Sequence, residues 1–425
     1  MADGGDPAAD AGAGSDGGVA ADAGAMAGAR GAARPPAVDA RLEARFARAR
    51  EAIAAAYRHE PVERPPVLVG DVNYWITGED PDLVPGDYFD VGAFASMLAF
   101  QEAKIAAHLA RHDDIYLPFV FPWYGTGVVP SALGCEILFQ PKEEPAVAGA
   151  VITEPAQVGR LVPPDPERDG LMPRVLRAID HFVAHAPWPV SFTDNQGPLN
   201  IALNLVGLER LMLWMYDEPV AVHELMDFCT TVLIDWVRLQ KARAGGRAGV
   251  FPHTILLPSE FGGVWISDDD CTIVSPALYR EFVVPYNSRV LSAFGGGSLH
   301  YCGSARHQLE NFAATEGLVA INNWPMGDFA QVFEAQRILG DRAVIMVCDY
   351  TPLETEAYFR DLVDGLDPRG AIVATYPSPT DALRYPGGRI DTIPRDVGEV
   401  GLAARATIER FLDAKTTARR GGAPA

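Results

Sequence analysis

Apolar residues in this chain follow two alternating patterns: short runs of four or five residues bounded by Gly, Pro or acidic positions, and longer stretches with helical spacing. The short runs predict strands at Val67–Gly70, Ile115–Phe119, Val190–Thr193, Gly249–His253, Ser298–Tyr301, Leu318–Asn322, Ala343–Val347 and Ala371–Thr375. Amphipathic stretches at Phe94–His112, Met172–His185, Glu209–Ala244, Pro276–Phe294, Ala305–Glu316, Phe329–Leu339 and Leu353–Leu366 predict the helices between them. A first helix, Asp39–Tyr57, carries an apolar stripe of Leu42, Phe46, Ile53 and Tyr57 and is closed by Pro61 and Pro65-Pro66. Strand and helix in alternation is the pattern of a parallel sheet with crossover helices, and eight such units predict a (β/α)8 TIM barrel. A doubly wound open sheet is the rival, but no glycine-rich phosphate loop follows an early strand.

Residues 1–38 are Ala, Gly and Asp with hardly a large apolar side chain, so they lack the burial that would offset the entropy of ordering, and a disordered leader is expected. The barrel is expected over residues 39–415, with a Pro- and Gly-rich insertion at Tyr124–Pro166, and a flexible tail over 416–425.

A formal net charge of −21 opposes nucleic-acid and anionic-membrane binding, which both need positive charge, and leaves small molecules as the expected substrates. No apolar run approaches the length of a membrane span. Five cysteines without close pairing, and no cationic-apolar signal segment, point to a reducing, cytoplasmic setting.

Residues just beyond the strands of such a barrel face one mouth, and here they are polar: Asp71 and Asn73, Asp194 and Asn195, His253, His300 and Cys302, Asn322, Cys348, and Tyr376. Any strand end turns polar on reaching water, which explains single residues better than it explains a His and two Cys on neighbouring units. His300 and Cys302 sit two apart in an extended run and project to one side, as half of a zinc site would. Cys348 is the candidate third ligand, although lone cysteines are also common small buried hydrophobes. Cys135, Cys229 and Cys271 fit that second description. Of the acidic run Asp268-Asp269-Asp270, one of Asp269 and Asp270 is expected in the site, while Ser275 with Pro276 reads as a helix cap. His253 is a candidate acid, base or ligand, against the alternative of capping a loop carbonyl.

Several segments, in this order, resemble the uroporphyrinogen decarboxylase superfamily: Gly197-Pro198, Leu205-Val206-Gly207-Leu208-Glu209, Asp217-Glu218-Pro219, Ser275-Pro276-Ala277-Leu278-Tyr279-Arg280-Glu281-Phe282, Pro285-Tyr286 and His300-Tyr301-Cys302-Gly303. The resemblance runs from about Arg64 to Leu412 and itself implies a (β/α)8 barrel. The arginine-rich N-terminal segment of true decarboxylases is missing, since the matching stretch Pro66–Trp75 has no arginine. His-x-Cys instead resembles the corrinoid-linked, zinc-dependent methyltransferases, although their later Cys belongs near Ala374–Tyr376, where this chain has none; either Cys348 substitutes or the ligand set is incomplete. The resemblance thus implies zinc on His300, Cys302 and Cys348, and a methylated corrinoid as a loosely held co-substrate, carried on a separate corrinoid protein, with a thiol as acceptor. Catalytic roles fall to His253 and Asp194, and substrate contacts to Asn195, Asp269, Asn73, Asn322 and Tyr376. A homodimer formed at the barrel mouth is the expected assembly. The rivals are decarboxylation of uroporphyrinogen or another carboxylated substrate, and a non-catalytic binding barrel.

Deleting residues 1–36 is expected to leave the melting temperature unchanged, because that segment has hardly a large apolar side chain to dock. Differential scanning calorimetry of the two lengths checks this, and a fall of several degrees on truncation would contradict it.

Overall fold

The Asp39 carboxylate accepts the Leu42 N–H at 2.9 Å and so starts helix α1 (Ala40–Tyr57), filling one of the donors that every helix leaves free at its N-terminus. The computed structural model describes residues 38–70, 87–90, 92–139 and 145–421. Among them eight strands run parallel: β1 (Val67–Val69), β2 (Val190–Ser191), β3 (Ala248–Gly249), β4 (Val264–Ser267), β5 (Gly297–Cys302), β6 (Leu318–Trp324), β7 (Val344–Tyr350) and β8 (Ala371–Tyr376). Six form one sheet in the order β1-β8-β7-β6-β5-β4, and β2 pairs with β3. The chain is an α/β protein with its helices packed on a buried parallel sheet, as the alternation predicts.

Two strand expectations are corrected. Ile115–Phe119 does not form a ladder: it touches β1 through Ile115 N to Val67 O at 3.5 Å and meets β2 only at the bridge of Val120 with Val190. Pro118 and Pro122 have no N–H to give, which interrupts pairing on both sides of that bridge. Gly249–His253 contributes only its first residue, since Pro252 and the left-handed His253 (φ 45°) turn the chain out of the sheet. The run Val264–Ser267 is the strand that the pattern failed to single out. It lies so close to β5 that a Cβ on Gly297 would stand 2.6 Å from Val264 O.

Prolines also divide two of the expected helices. Glu209–Ala244 is two helices, Leu208–Asp217 and Pro219–Ala244, and Pro276–Phe294 is Pro276–Phe282 followed by Val284–Ser292. The insertion carries a small antiparallel pair, Glu136–Leu138 with Ala146–Ala148, and the C-terminal helix spans Val397–Gly421. None of the described helices is long and apolar enough to cross a membrane.

One carboxylate joins the first elements together. Asp114 accepts from Val69 N (3.1 Å), Tyr116 N (3.1 Å) and Arg45 Nη2 of α1 (3.1 Å), and it lies 3.0 Å from His108 Nε2 of helix α2 (Phe94–Arg111). Burial alone would raise its pKa, but the neighbouring His108 and the backbone donors outweigh burial and hold it at about 2.

The folded pKa of Asp114 is depressed, so its contribution to stability is complete above the unfolded value of about 3.9 and is lost as pH falls through about 2. Asp114→Asn is expected to lower unfolding free energy at pH 7 by about 3 kcal/mol, the scale for breaking a buried ion pair. Urea titrations at pH 7, 4 and 2.5 check both points: wild type should lose more stability than the variant between pH 4 and 2.5.

Candidate functional site

Parallel pairing sets Ser267 of β4, His300 of β5, Asn322 of β6 and Met346 of β7 side by side across the sheet. Within β5 the residues alternate. Tyr301 turns outward, donating its hydroxyl to Gln331 Oε1 (3.2 Å) under the helix Phe329–Leu339, while His300 and Cys302 share the other face. Cys302 Sγ stands 3.5 Å from His300 Nε2.

The third member comes from the turn after β4. Asp268 N continues the strand pairing by donating to His300 O (2.8 Å), and the next residue, Asp269, starts a short 3₁₀ turn, Asp269–Thr272. Its Oδ1 accepts the Cys302 N–H at 2.7 Å and lies 3.7 Å from His300 Nε2. One ligand atom from each of Asp269, His300 and Cys302 therefore falls within 4.8 Å of the others, a grouping that could hold a metal ion. An imidazole nitrogen, a sulfur and a carboxylate oxygen form a donor set suited to zinc.

Behind this group, His300 Nδ1 faces Asn322 Oδ1 at 2.8 Å, and Asn322 Nδ2 points to Cys348 Sγ at 3.3 Å and Met346 Sδ at 3.8 Å. The amide oxygen takes the Nδ1–H, so the Nε2 lone pair is the one turned toward Cys302 and Asp269. Burial lowers the pKa of His300 against the opposing pull of Asp269, and burial with neighbouring His300 takes His253 well below its usual range. Both shifts favour the neutral imidazole, the form in which histidine binds a metal. Burial also raises the thiol pKa values of Cys302 and Cys348, with Asp269 adding to the effect at Cys302 and Asp349 adding at Cys348.

Aromatic rings close the interior side. The His253 ring lies 3.8 Å from that of His300, with Trp265 at 5.3 Å and Trp324 at 5.9 Å, and Trp324 stacks on Tyr376 at 5.0 Å. The Tyr376 hydroxyl meets Thr254 Oγ1 at 2.8 Å and hydrogen-bonds the Cys348 thiol. Below, Asp268 is fully buried and accepts from Tyr279 OH and from Asn287 Nδ2 (2.9 Å); burial nevertheless pushes its pKa up to about 7.

Of the residues singled out in the sequence, His300 and Cys302 lie together with Asp269, His253 packs on His300, and Cys348 stands behind Asn322 outside the three-residue group. Asp194 accepts from Gln196 Nε2 (3.2 Å) and Ser267 Oγ (3.3 Å), beside β4. Asn195 pairs through its carbonyl with Ser267 N, and its side chain turns to Gln240 on the helix Pro219–Ala244. Asn73 and Asp71 lie outside the described residues. Trp265, Asp268, Tyr279 and Asn287 went unnoticed as site residues. The apolar run Val264-Trp265-Ile266 after Gly262-Gly263 was the available signal for the first of these.

The sequence matches the uroporphyrinogen decarboxylase (URO-D) family over residues 48–347, well over half of the chain. It is similar to a methylated-thiol–coenzyme M methyltransferase from Methanosarcina mazei, 24% identical over 208 residues covering 48% of this chain and 52% of that protein. A uroporphyrinogen decarboxylase from Xanthomonas campestris is 23% identical over 258 residues, covering 57% of this chain and 64% of its own. The chain thus spans between half and two thirds of these curated relatives. A solved methyltransferase structure from Methanosarcina mazei superposes with a TM-score of 0.60 at 19% identity, covering 85% of this chain and 98% of the other, which is a likeness of fold.

Asn322→Leu removes both the acceptor for His300 Nδ1 and the donor to Cys348. Stranding a buried N–H is expected to lower unfolding free energy by about 1–3 kcal/mol. Urea denaturation of wild type and variant at pH 7 measures this, and an unchanged midpoint would show that the His300–Asn322 pair is not formed.

Proposed function

The chain belongs to the uroporphyrinogen decarboxylase family, and we propose that it is a zinc-dependent methyltransferase that moves a methyl group from a methylated corrinoid to a small thiol. The observation that carries this reading is the approach of Asp269 Oδ1, His300 Nε2 and Cys302 Sγ at one sheet end. We take the parallel strands to be those of a (β/α)8 barrel, a reading supported by the bridges of Val120 with Val190 and Gln196 with Ser267 that extend pairing beyond the six-stranded sheet. The assignment implies a cytoplasmic protein, in keeping with five free cysteines among the described residues.

His300, Cys302 and Asp269 would hold the metal, with Cys348 as a further candidate ligand behind Asn322. Zinc bound there supplies a Lewis acid that keeps a substrate thiol in its thiolate form. Asn322 holds His300 in the tautomer that presents Nε2, and the Cys302 N–H holds Asp269 in place. In the reaction an S–CH3 bond forms as the Co–CH3 bond breaks, and the thiol proton leaves to solvent. His253 and Asp194, with Asn195 and Asn73, are assigned to orienting the acceptor, Asn322 to holding His300 from behind, and the rings of Trp265, Trp324 and Tyr376 to keeping the interior side dry. The decarboxylase reading is favoured by the relatives that carry that name. It lacks a cationic clamp: residues 64–75 hold a single arginine, Arg64, whose guanidinium is paired with Glu409 and Asp413.

Protein purified without chelator is expected to carry about one zinc per chain, and Cys302→Ala or His300→Ala to lose most of it, as measured by elemental analysis. Absence of stoichiometric zinc that cannot be restored on reconstitution sinks the metal assignment. Incubation of zinc-loaded protein with methylcobalamin and small thiols is expected to give thiol-dependent loss of the cobalt–carbon bond. Carboxyl loss from uroporphyrinogen, with no demethylation by any thiol, would favour the decarboxylase instead.

A further inference from the structure

A cavity of about 850 Å³, a volume usual for small-molecule sites, opens where the chain enters β4 through Gly262 and Gly263, the end opposite Asp269. Helix α1 supplies one wall. Its Ala47, Arg50, Glu51 and Ala54 fall on one face, and the two alanines leave space that longer side chains would fill. The floor is apolar, built by Val250, Phe251, Leu256, Leu257 and Phe294, and the loop that carries the first four is folded back by Leu257 N to Val250 O (2.9 Å). Lys241, near the C-terminus of the helix Pro219–Ala244, is half-buried beside that floor. Its ammonium donates to Gly263 O at 2.5 Å and lies 5.4 Å from the centre of the Phe294 ring, and it has no carboxylate partner among the described residues. Gly263 makes that approach possible, since a Cβ there would stand 2.7 Å from Nζ. Burial lowers the Lys241 pKa, so the ammonium carries a desolvation cost that no described counter-ion offsets. Exposed Arg50 also lacks an acidic partner among the described residues, whereas Arg58 is held by Glu51 and Glu60. Glu260, exposed on the rim, is likewise unpaired, so two cations without an acid face one acid without a cation.

We propose that this cavity is a second binding site, for an amphipathic anion: Lys241 and Arg50 take a carboxylate, and the apolar floor takes the body attached to it. Such a site is separate from Asp269, His300 and Cys302 and independent of the methyl-transfer reading. Isothermal titration of the full chain at pH 7 would use octanoate, octan-1-ol and octylammonium, with acetate as the anion that lacks a body. Octanoate is expected to bind at least tenfold more tightly than octylammonium, with the alcohol between and acetate undetected. Lys241→Met keeps an unbranched apolar stem and should reduce the preference for octanoate over octanol at least fivefold. Arg50→Gln, at an exposed position, should reduce it at least twofold, and this variant decides the matter where Lys241→Met fails to fold. Cys302→Ala should leave octanoate binding unchanged; loss of binding in that variant puts the carboxylate on the metal ligands and overturns the proposal. Undetectable octanoate binding overturns it as well, as does octanol or octylammonium binding as tightly as octanoate. A preference that survives in the folded variants of both Lys241 and Arg50 does the same.

Discussion

The site depends on register. Because Ser267, His300 and Asn322 are partners across three parallel strands, the imidazole is held between a strand end that leads into Asp269 and an amide that fixes its tautomer. A slip of one residue in β5 would turn His300 and Cys302 outward and bring Leu299 and Tyr301 in, exchanging the whole face at once. Packing protects that register: Leu299 and Tyr301 are committed to the core between sheet and helices, so a slip would take them out of that packing and put His300 and Cys302 among apolar side chains without their partners.

The same burial shapes the chemistry. Thiols and imidazoles at the sheet ends are shifted toward their neutral forms, and two interior acids, Asp268 and Asp349, are raised to about 7 even though each accepts hydrogen bonds. Asp349 receives Met326 N (2.9 Å), Gly327 N (3.2 Å) and Tyr358 OH (2.5 Å), so it closes the turn after β6. A buried thiol of this kind gains much from a divalent cation, which would favour its thiolate form as a ligand.

His300 and Cys302 were legible in the sequence because spacing by two in an extended run has one geometric meaning. The parallel α/β class was legible because strand and helix periods alternate along most of the chain. Asp269 was visible only as one of three adjacent acids; which of them meets Cys302 is decided by a 3₁₀ turn whose start no propensity marks. Strand β4 was obscured by its brevity and its flanking glycines, and Ile115–Phe119 looked like a strand because apolar content says nothing about the N–H groups that Pro118 and Pro122 lack. Asn322 was read as a substrate contact; its place between His300 and Cys348 is a property of three strands together, beyond any single segment.

Pairing of β1 with β8 has a consequence for the biogenesis of the chain. Gly70 N bonds to Thr375 O, Arg369 Nε reaches His59 O across 310 residues, and Arg64 contacts Asp413 across 349. During synthesis the first strand therefore waits for this partner until the segment around Thr375 has been made. Contacts of such sequence separation are slow to form. Throughout that interval the edge of β1 that β8 will cover is open to pairing with other nascent chains, so crowding of translating ribosomes bears on the yield of folded protein.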